Sequence, residues 1–306
     1  MSQISLLAGE LRKVMPELEL RENEAMREHC SFKIGGPAAA MALPDSIEQT
    51  QRLCRFLREK GVEPLVIGNG TNLLVTDEPL ERFVIQMSDK MSAVEQRGER
   101  EVFALCGISL ARLAVFCAHR SLEGLEFAHG IPGSLGGAVC MNAGAYGGEM
   151  KDVLSSVIYL DERGEKREKR GDELELSYRH SAFSDTGSIV LGALMTLRQG
   201  NEEEILARMR ELSEKRRASQ PLDKPSAGST FKRPVGGYAA ALIDECGLRG
   251  YSIGGAQVSE KHTGFVINRG GASFADVRAL MEHIKETVFK EKGIELHAEV
   301  KIIEND

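Results

Sequence analysis

Two glycine-rich stretches carry the densest chemistry in this chain. The first is Ile67-Gly68-Asn69-Gly70-Thr71-Asn72-Leu73; the second runs from Gly130 to Met150, opening Gly130-Ile131-Pro132-Gly133-Ser134 and continuing through Gly136, Gly137, Ala138, Asn142, Ala143 and Gly144. Glycines lack a Cβ, so successive backbone N–H groups can turn toward one anion, while short Asn, Ser and Thr side chains add donors without crowding it. A pyrophosphate is the natural guest of such a cradle. Either stretch alone also reads as an ordinary turn; the pair together points to phosphate. The familiar nucleotide motifs fail on spacing. No Gly-Lys dipeptide occurs, which removes a Walker loop. A dinucleotide fingerprint starting at Gly68 needs glycine at position 73, where the chain has Leu73.

A second constellation is Ser229-Thr230-Phe231-Lys232, which fits Ser-x-x-Lys, the nucleophile motif of penicillin-recognising acyl-enzymes. Its companions are missing. Lys261-His262-Thr263-Gly264 has a His inside what should be Lys-Thr-Gly, and no Ser-Asp-Asn occurs. Those enzymes also work outside the cytoplasm, whereas charges interrupt the N-terminus before any apolar core of signal-peptide length. A nucleotide-binding module without catalysis is a third reading.

The elements that must position these residues fall into three groups. At 306 residues the chain has enough length for two or three domains. A net charge of −7 with no sustained basic run argues against a nucleic-acid partner, and no apolar run is long enough to span a bilayer. The expected partner is a small molecule. Six scattered cysteines without a Cys-x-x-Cys pair or His neighbours at ligand spacing read as buried, reduced thiols of a cytoplasmic protein, with no metal site.

Ser46 caps an expected helix to residue 60, stopped by Gly61; strands at 64–67 and 83–87 complete a first α/β group. The next group has a strand at 101–106, a helix at 109–120 and the long Gly-rich run. A hairpin follows across Asp161-Glu162-Arg163-Gly164, then a strand at 188–198 and a charged helix at 201–217. Residues 220–225 read as a linker. Beyond it come a helix at 238–246, a strand at 264–268 and a helix opened by a Ser273…Asp276 capping box. The last strand alternates Ile294, Leu296, Ala298, Val300 and Ile302 against Glu295, His297, Glu299 and Lys301.

With these segments in view, the chain resembles the UDP-N-acetylenolpyruvoylglucosamine reductase family nearly end to end. The likeness rests on Ser31-Phe-Lys-Ile-Gly-Gly-Pro37, Gly68 to Leu73, Gly130 to Ala138 followed by Met141-Asn-Ala-Gly-Ala-Tyr-Gly147, Tyr178-Arg-His-Ser181, Gly228-Ser-Thr-Phe-Lys232 and Leu296-His-Ala-Glu-Val300. The resemblance implies an α+β fold: a two-part FAD-binding region of the PCMH/vanillyl-alcohol-oxidase-like type plus a C-terminal α/β substrate-binding domain. On this chain that means subdomains at 1–87 and 88–219 and a substrate domain at 220–306, whose last strand returns toward the FAD-binding region. The likeness is to the shorter form, without the inserted loop whose Tyr contacts substrate.

The resemblance also implies chemistry. FAD is held non-covalently by the two Gly-rich stretches and Arg217, and NADPH passes hydride through it to UDP-N-acetylglucosamine enolpyruvate, giving UDP-N-acetylmuramate for peptidoglycan. Arg179 would hold the substrate carboxylate through its planar fork. Glu299, kept protonated by burial and a nearby anion, would donate to the same carboxylate, and Ser229 would deliver the proton to C2. Tyr178, Lys232, Arg233, Lys261 and His262 are the expected substrate contacts. Each has a plainer reading: Arg179 as a surface ion-pair partner, Glu299 as a solvated strand residue, Ser229 as a turn residue, His262 as packing. Thr71 stands where Ser is usual and Ser134-Leu135 where Thr-Val is usual, so a hydroxyl persists at both. Arg233 and His262 replace the Asn and Gln of the longer form, and a cation at 233 suits a diphosphate.

Overall fold

The structure is a computed structural model describing residues 3–184 and 186–305; Met1, Ser2, Asp185 and Asp306 fall inside the expected domain ranges but outside the described residues. The chain divides into two compact units: Met1–Glu22, Ala40–Asn69 and Arg82–Arg216 make one, and Asn23–Ala39, Gly70–Glu81 and Arg217–Asp306 make the other.

Local signals set the helix ends. The Ser46 hydroxyl accepts the Gln49 N–H to start Ile47–Glu59, and Gly61 at φ +68° turns the chain away from it. Ser109 does the same through Arg112 N–H for Leu110–Ala118. Asn201 Oδ1 accepts from the Glu203 and Glu204 amides ahead of Glu202–Ser219, whose first turn is all glutamate and so faces the positive end of the helix dipole. All five helices expected from the sequence form, together with Gln3–Val14 and the short Leu135–Cys140 inside the second Gly-rich run.

The first unit is built on a five-stranded antiparallel sheet in the order Lys166–Arg170, Leu154–Leu160, Ile189–Thr196, Glu101–Leu105, Val94–Gln96. Its buried side chains include Val102, Ala104, Val157, Leu191 and Met195. A smaller sheet places Leu65–Ile67 parallel to Leu80–Gln86, with Leu65 opposite Val84, and so delivers the first Gly-rich stretch from a strand end.

In the second unit, three antiparallel strands, Ser252–Ile253, Ala256–Val258 and Val266–Asn268, pack against the helix Phe274–Lys292. Val277, Leu280, Met281, Ile284 and Val288 line one face of that helix in a core shared with Phe32, Ile34, Leu74, Phe231, Leu296 and Val300.

Residues 23–39 and 70–81 group with the C-terminal segment in the second unit: Leu73–Val75 pairs in parallel with Lys301–Ile303, and Phe32, Ile34 and Leu74 enter the core of that unit. One expectation is corrected here. The strand expected over 294–302 is regular only at Lys301–Ile303. Its alternation is nonetheless real: Leu296 and Val300 are buried while Glu295, His297 and Lys301 are exposed.

Candidate functional site

Within the first unit the two Gly-rich stretches meet at Gly68 and Ser134. A Cβ on Gly68 would collide with Ser134 Oγ, so only glycine permits the approach. Ser134 is buried and faces Ser109 in an antiparallel bridge. The flanking bonds, Leu110 N–H to Gly133 O at 3.1 Å and Leu135 N–H to Ile108 O at 2.9 Å, make this the non-hydrogen-bonded kind of pair, so the Ser134 N–H points away from its partner. Other amides of the run are committed: Ile131 to Ala128 O, Gly136 to Cys106 O and Ala138 to Ser134 O. The Ile131, Gly136 and Ala138 amides are thus turned to backbone oxygens, while the Ser134 hydroxyl lies between Gly68 and the Gly137 side of the turn. A buried hydroxyl beside an outward amide, at a spot a Cβ would fill, fits one phosphate of a dinucleotide.

A cation packs against the start of the same run. Arg216 lies against Gly130, where a Cβ would sit 3.3 Å from Arg216 Cδ. Burial lowers its pKa without removing its charge. The cation expected from sequence was Arg217, which is exposed and whose carbonyl accepts Lys261 Nζ. Adjacent residues on a helix diverge by about 100°, and nothing in Arg216-Arg217 itself tells which of the pair faces the glycines.

The turn Ser177–His180 carries Tyr178 and Arg179 at its tip, closed by Ser177 N–H to His180 O at 3.1 Å and His180 N–H to Ser177 O at 3.2 Å. Arg179 sits at φ +54°, in the left-handed region that favours glycine. Its guanidinium lies over the exposed Tyr178 ring, 5.2 Å from the centroid. Asn142, expected to face the cofactor, has a fully buried side chain whose amide is spent inside the unit, on Glu149, Ser177 and the Lys151 N–H.

In the second unit a short antiparallel pairing sets Thr230, the neighbour of Ser229, opposite Glu299. Phe231 bridges Ala298, Lys232 N–H donates to His297 O at 2.8 Å, and Glu299 N–H donates to Thr230 O at 2.9 Å. Asn72 joins them, its Nδ2 donating to Glu299 O at 2.9 Å. Ser229 is exposed, while Thr230 is buried and anchors the strand through Gly264 O and Val266 N–H. Gly70, at φ +60°, packs so tightly on His29 that a Cβ would strike its carbonyl oxygen. This extended pairing also removes the acyl-enzyme reading. Residues three apart on an extended chain stand about 10 Å apart, whereas a nucleophile and its lysine need one helical turn to meet.

Of the remaining expected contacts, Lys232 and Arg233 are exposed, with the Arg233 guanidinium 4.5 Å from the Tyr238 ring centroid. Lys261 N–H donates to Ser259 Oγ at 3.1 Å. His262 Nδ1 accepts the Gly264 N–H at 3.2 Å, its ring meets Phe265 edge-on, and burial pulls its pKa down. Those contacts are packing within its own turn. Among the described residues no cluster of His, Cys, Asp and Glu is set to hold a metal ion. Burial pushes the Cys54, Cys106 and Cys117 thiols up to about 12, which suits inert thiols.

A family model described as UDP-N-acetylenolpyruvoylglucosamine reductase, C-terminal domain, matches residues 220–303, and one described as FAD binding domain matches residues 38–168. The UDP-N-acetylenolpyruvoylglucosamine reductase of Caldanaerobacter subterraneus subsp. tengcongensis is 46% identical over 97% of this chain and 98% of its own. That of Agathobacter rectalis is 47% identical over 94% of this chain and 95% of its own. The crystal structure of UDP-N-acetylenolpyruvylglucosamine reductase from Thermus caldophilus matches with a TM-score of 0.79 and 33% identity, over 94% of this chain and 99% of that one.

Proposed function

This chain belongs to the UDP-N-acetylenolpyruvoylglucosamine reductase family and is a flavin-dependent oxidoreductase; from that premise we propose that it uses NADPH to reduce UDP-N-acetylglucosamine enolpyruvate to UDP-N-acetylmuramate, a peptidoglycan precursor made in the cytoplasm. Among the described residues no helix is long and apolar enough to cross a membrane. Gly68, Ser134, Gly133 and Gly137 would hold the FAD pyrophosphate without a covalent link, with Arg216 supplying charge beside Gly130. The chemistry that FAD supplies when bound is hydride transfer, from NADPH to C3 of the enolpyruvyl group.

The protein's own residues then manage charge and one proton. As hydride reaches C3, negative charge moves onto the substrate carboxylate, and a fixed cation with hydrogen-bond donors lowers that barrier. Arg179 takes the cation role and Glu299 the donor role. Ser229 delivers a proton to C2, and Lys232 is a further substrate contact. Arg233 and Lys261 suit the UDP diphosphate, and Tyr178 the face of the sugar nucleotide. The observation that supports this reading is the Thr230–Glu299 pairing, which brings the backbone of Glu299 to the residue next to the proposed proton donor Ser229. The test is the product: NADPH consumption should require the enolpyruvyl substrate and yield a molecule heavier by the added hydride and proton. NADPH oxidation indifferent to that substrate would refute the assignment.

A further inference from the structure

Asn142 follows the short helix Leu135–Cys140 within the second Gly-rich run, and its side chain is not available to a ligand. It is 0% exposed. Nδ2 donates to Ser177 O at 2.9 Å and to Glu149 Oε2 at 2.8 Å, while Oδ1 accepts the Lys151 N–H at 2.9 Å. A primary amide has two donor hydrogens, and both are used. Ser177 O is the same oxygen that closes the Tyr178–Arg179 turn by accepting the His180 N–H. The far leg of the turn is clamped as well. Cys140 O accepts both Ser181 Oγ at 2.8 Å and Ser184 Oγ at 2.6 Å. The Arg179 turn is therefore bolted on both legs to the second Gly-rich run, through backbone oxygens that leave its tip clear.

We propose that Asn142 is a positioning residue: with the clamp at Cys140 O, it fixes the backbone from which Arg179 reaches the substrate carboxylate, tying that turn to the cofactor-binding run. The proposal rests on the reading of Arg179 given above. A turn whose tip holds a non-glycine residue at positive φ relaxes when its anchors are cut, because the local backbone prefers another conformation. Loss of the anchor then moves the guanidinium away from the reacting carboxylate while leaving the cradle at Gly68 and Ser134 intact.

Asn142→Ala, Arg179→Ala and the double variant, each loaded with FAD, decide it by stopped-flow absorbance. Asn142→Ala should keep normal FAD content and normal bleaching by NADPH. Colour return on adding UDP-N-acetylglucosamine enolpyruvate should slow on the order of 10- to 100-fold, the usual effect of displacing a substrate-positioning group. The double variant should be no slower than Arg179→Ala alone, since the anchor acts through that side chain. Additive slowing in the double variant, equal slowing of both phases or loss of FAD from Asn142→Ala would overturn the proposal. An Arg179→Ala variant with normal colour return would overturn the reading of Arg179 and this proposal with it. Should Asn142→Ala not fold, Ser181→Ala/Ser184→Ala cuts the other anchor; its slowing must likewise vanish in the Arg179→Ala background, and additivity there would equally overturn the proposal.

Discussion

At the scale of single residues, Arg179 occupies backbone space that costs a branched-from-Cα residue on the order of 1 kcal/mol, at a turn position where glycine would be at ease. The role proposed for its guanidinium accounts for an arginine there. Arg179→Gly should therefore keep or raise the thermal midpoint while lowering turnover by roughly 100-fold or more, the scale set by losing one preorganised charge contact; full activity would sink its role. Ser229→Ala should separate the half-reactions. Flavin bleaching by NADPH needs no proton from this hydroxyl, whereas completing the reduction at C2 does, so colour return should slow by about 100-fold. Stopped-flow absorbance reads both, and unchanged return would remove Ser229 from the mechanism. Residue identity alone exposed Arg179, Ser229 and Glu299 as candidates through their motifs. It does not tell that Arg216 packs on Gly130, nor that the Asn142 amide is paired inside its unit, because both depend on which way a side chain points once its element is packed.

At the scale of elements, the helices were legible because caps and periodicity are local: Ser46, Ser109 and Ser273 each accept the backbone N–H their positions promise. Asp276 completes the Ser273 box, accepting the Ser273 N–H at 3.0 Å and the Gly255 N–H at 3.1 Å, and those amides hold its carboxyl below its ordinary value of 3.8. A carboxyl with a lowered folded pKa stabilises above its unfolded pKa and loses that contribution as pH falls through the folded one. Asp276→Ala should cost about 1 kcal/mol near neutral pH, and its midpoint should converge on that of the wild type in acid; a gap independent of pH would contradict the assignment. The Gly68–Ser134 contact makes a second test. Gly68→Ala should reduce the FAD retained on purification, and adding Ser134→Ala should restore part of it, because the obstructing atom is the hydroxyl and not backbone. Full FAD content in Gly68→Ala would place the cradle elsewhere. The last strand shows where local reading ends: alternation reports burial faithfully, but a ladder needs a partner, and the segment changes partners, from a single bridge of Ala298 to Phe231 to a regular parallel pairing of Lys301–Ile303 with Leu73–Val75.

At the scale of the whole molecule, that same pairing draws residues 70–81 into the unit built on the C-terminal segment, a grouping no local pattern in those residues announces. The residues of the proposed mechanism fall in both units: the Gly68–Ser134 approach, Arg216 and the Arg179 turn belong to the first, and Ser229, Glu299 and Asn72 to the second. Six motifs in family order made the family legible where composition and charge only argue against a nucleic-acid partner. The central claim is that one bound flavin takes hydride from NADPH and gives it to the enolpyruvyl substrate, and anaerobic absorbance of the purified wild-type protein tests it directly. The protein should be yellow, bleach on adding NADPH, and regain its colour on adding UDP-N-acetylglucosamine enolpyruvate, with UDP-N-acetylmuramate formed mole for mole. A colourless protein, or a bleached flavin that the enolpyruvyl substrate leaves bleached, would contradict it.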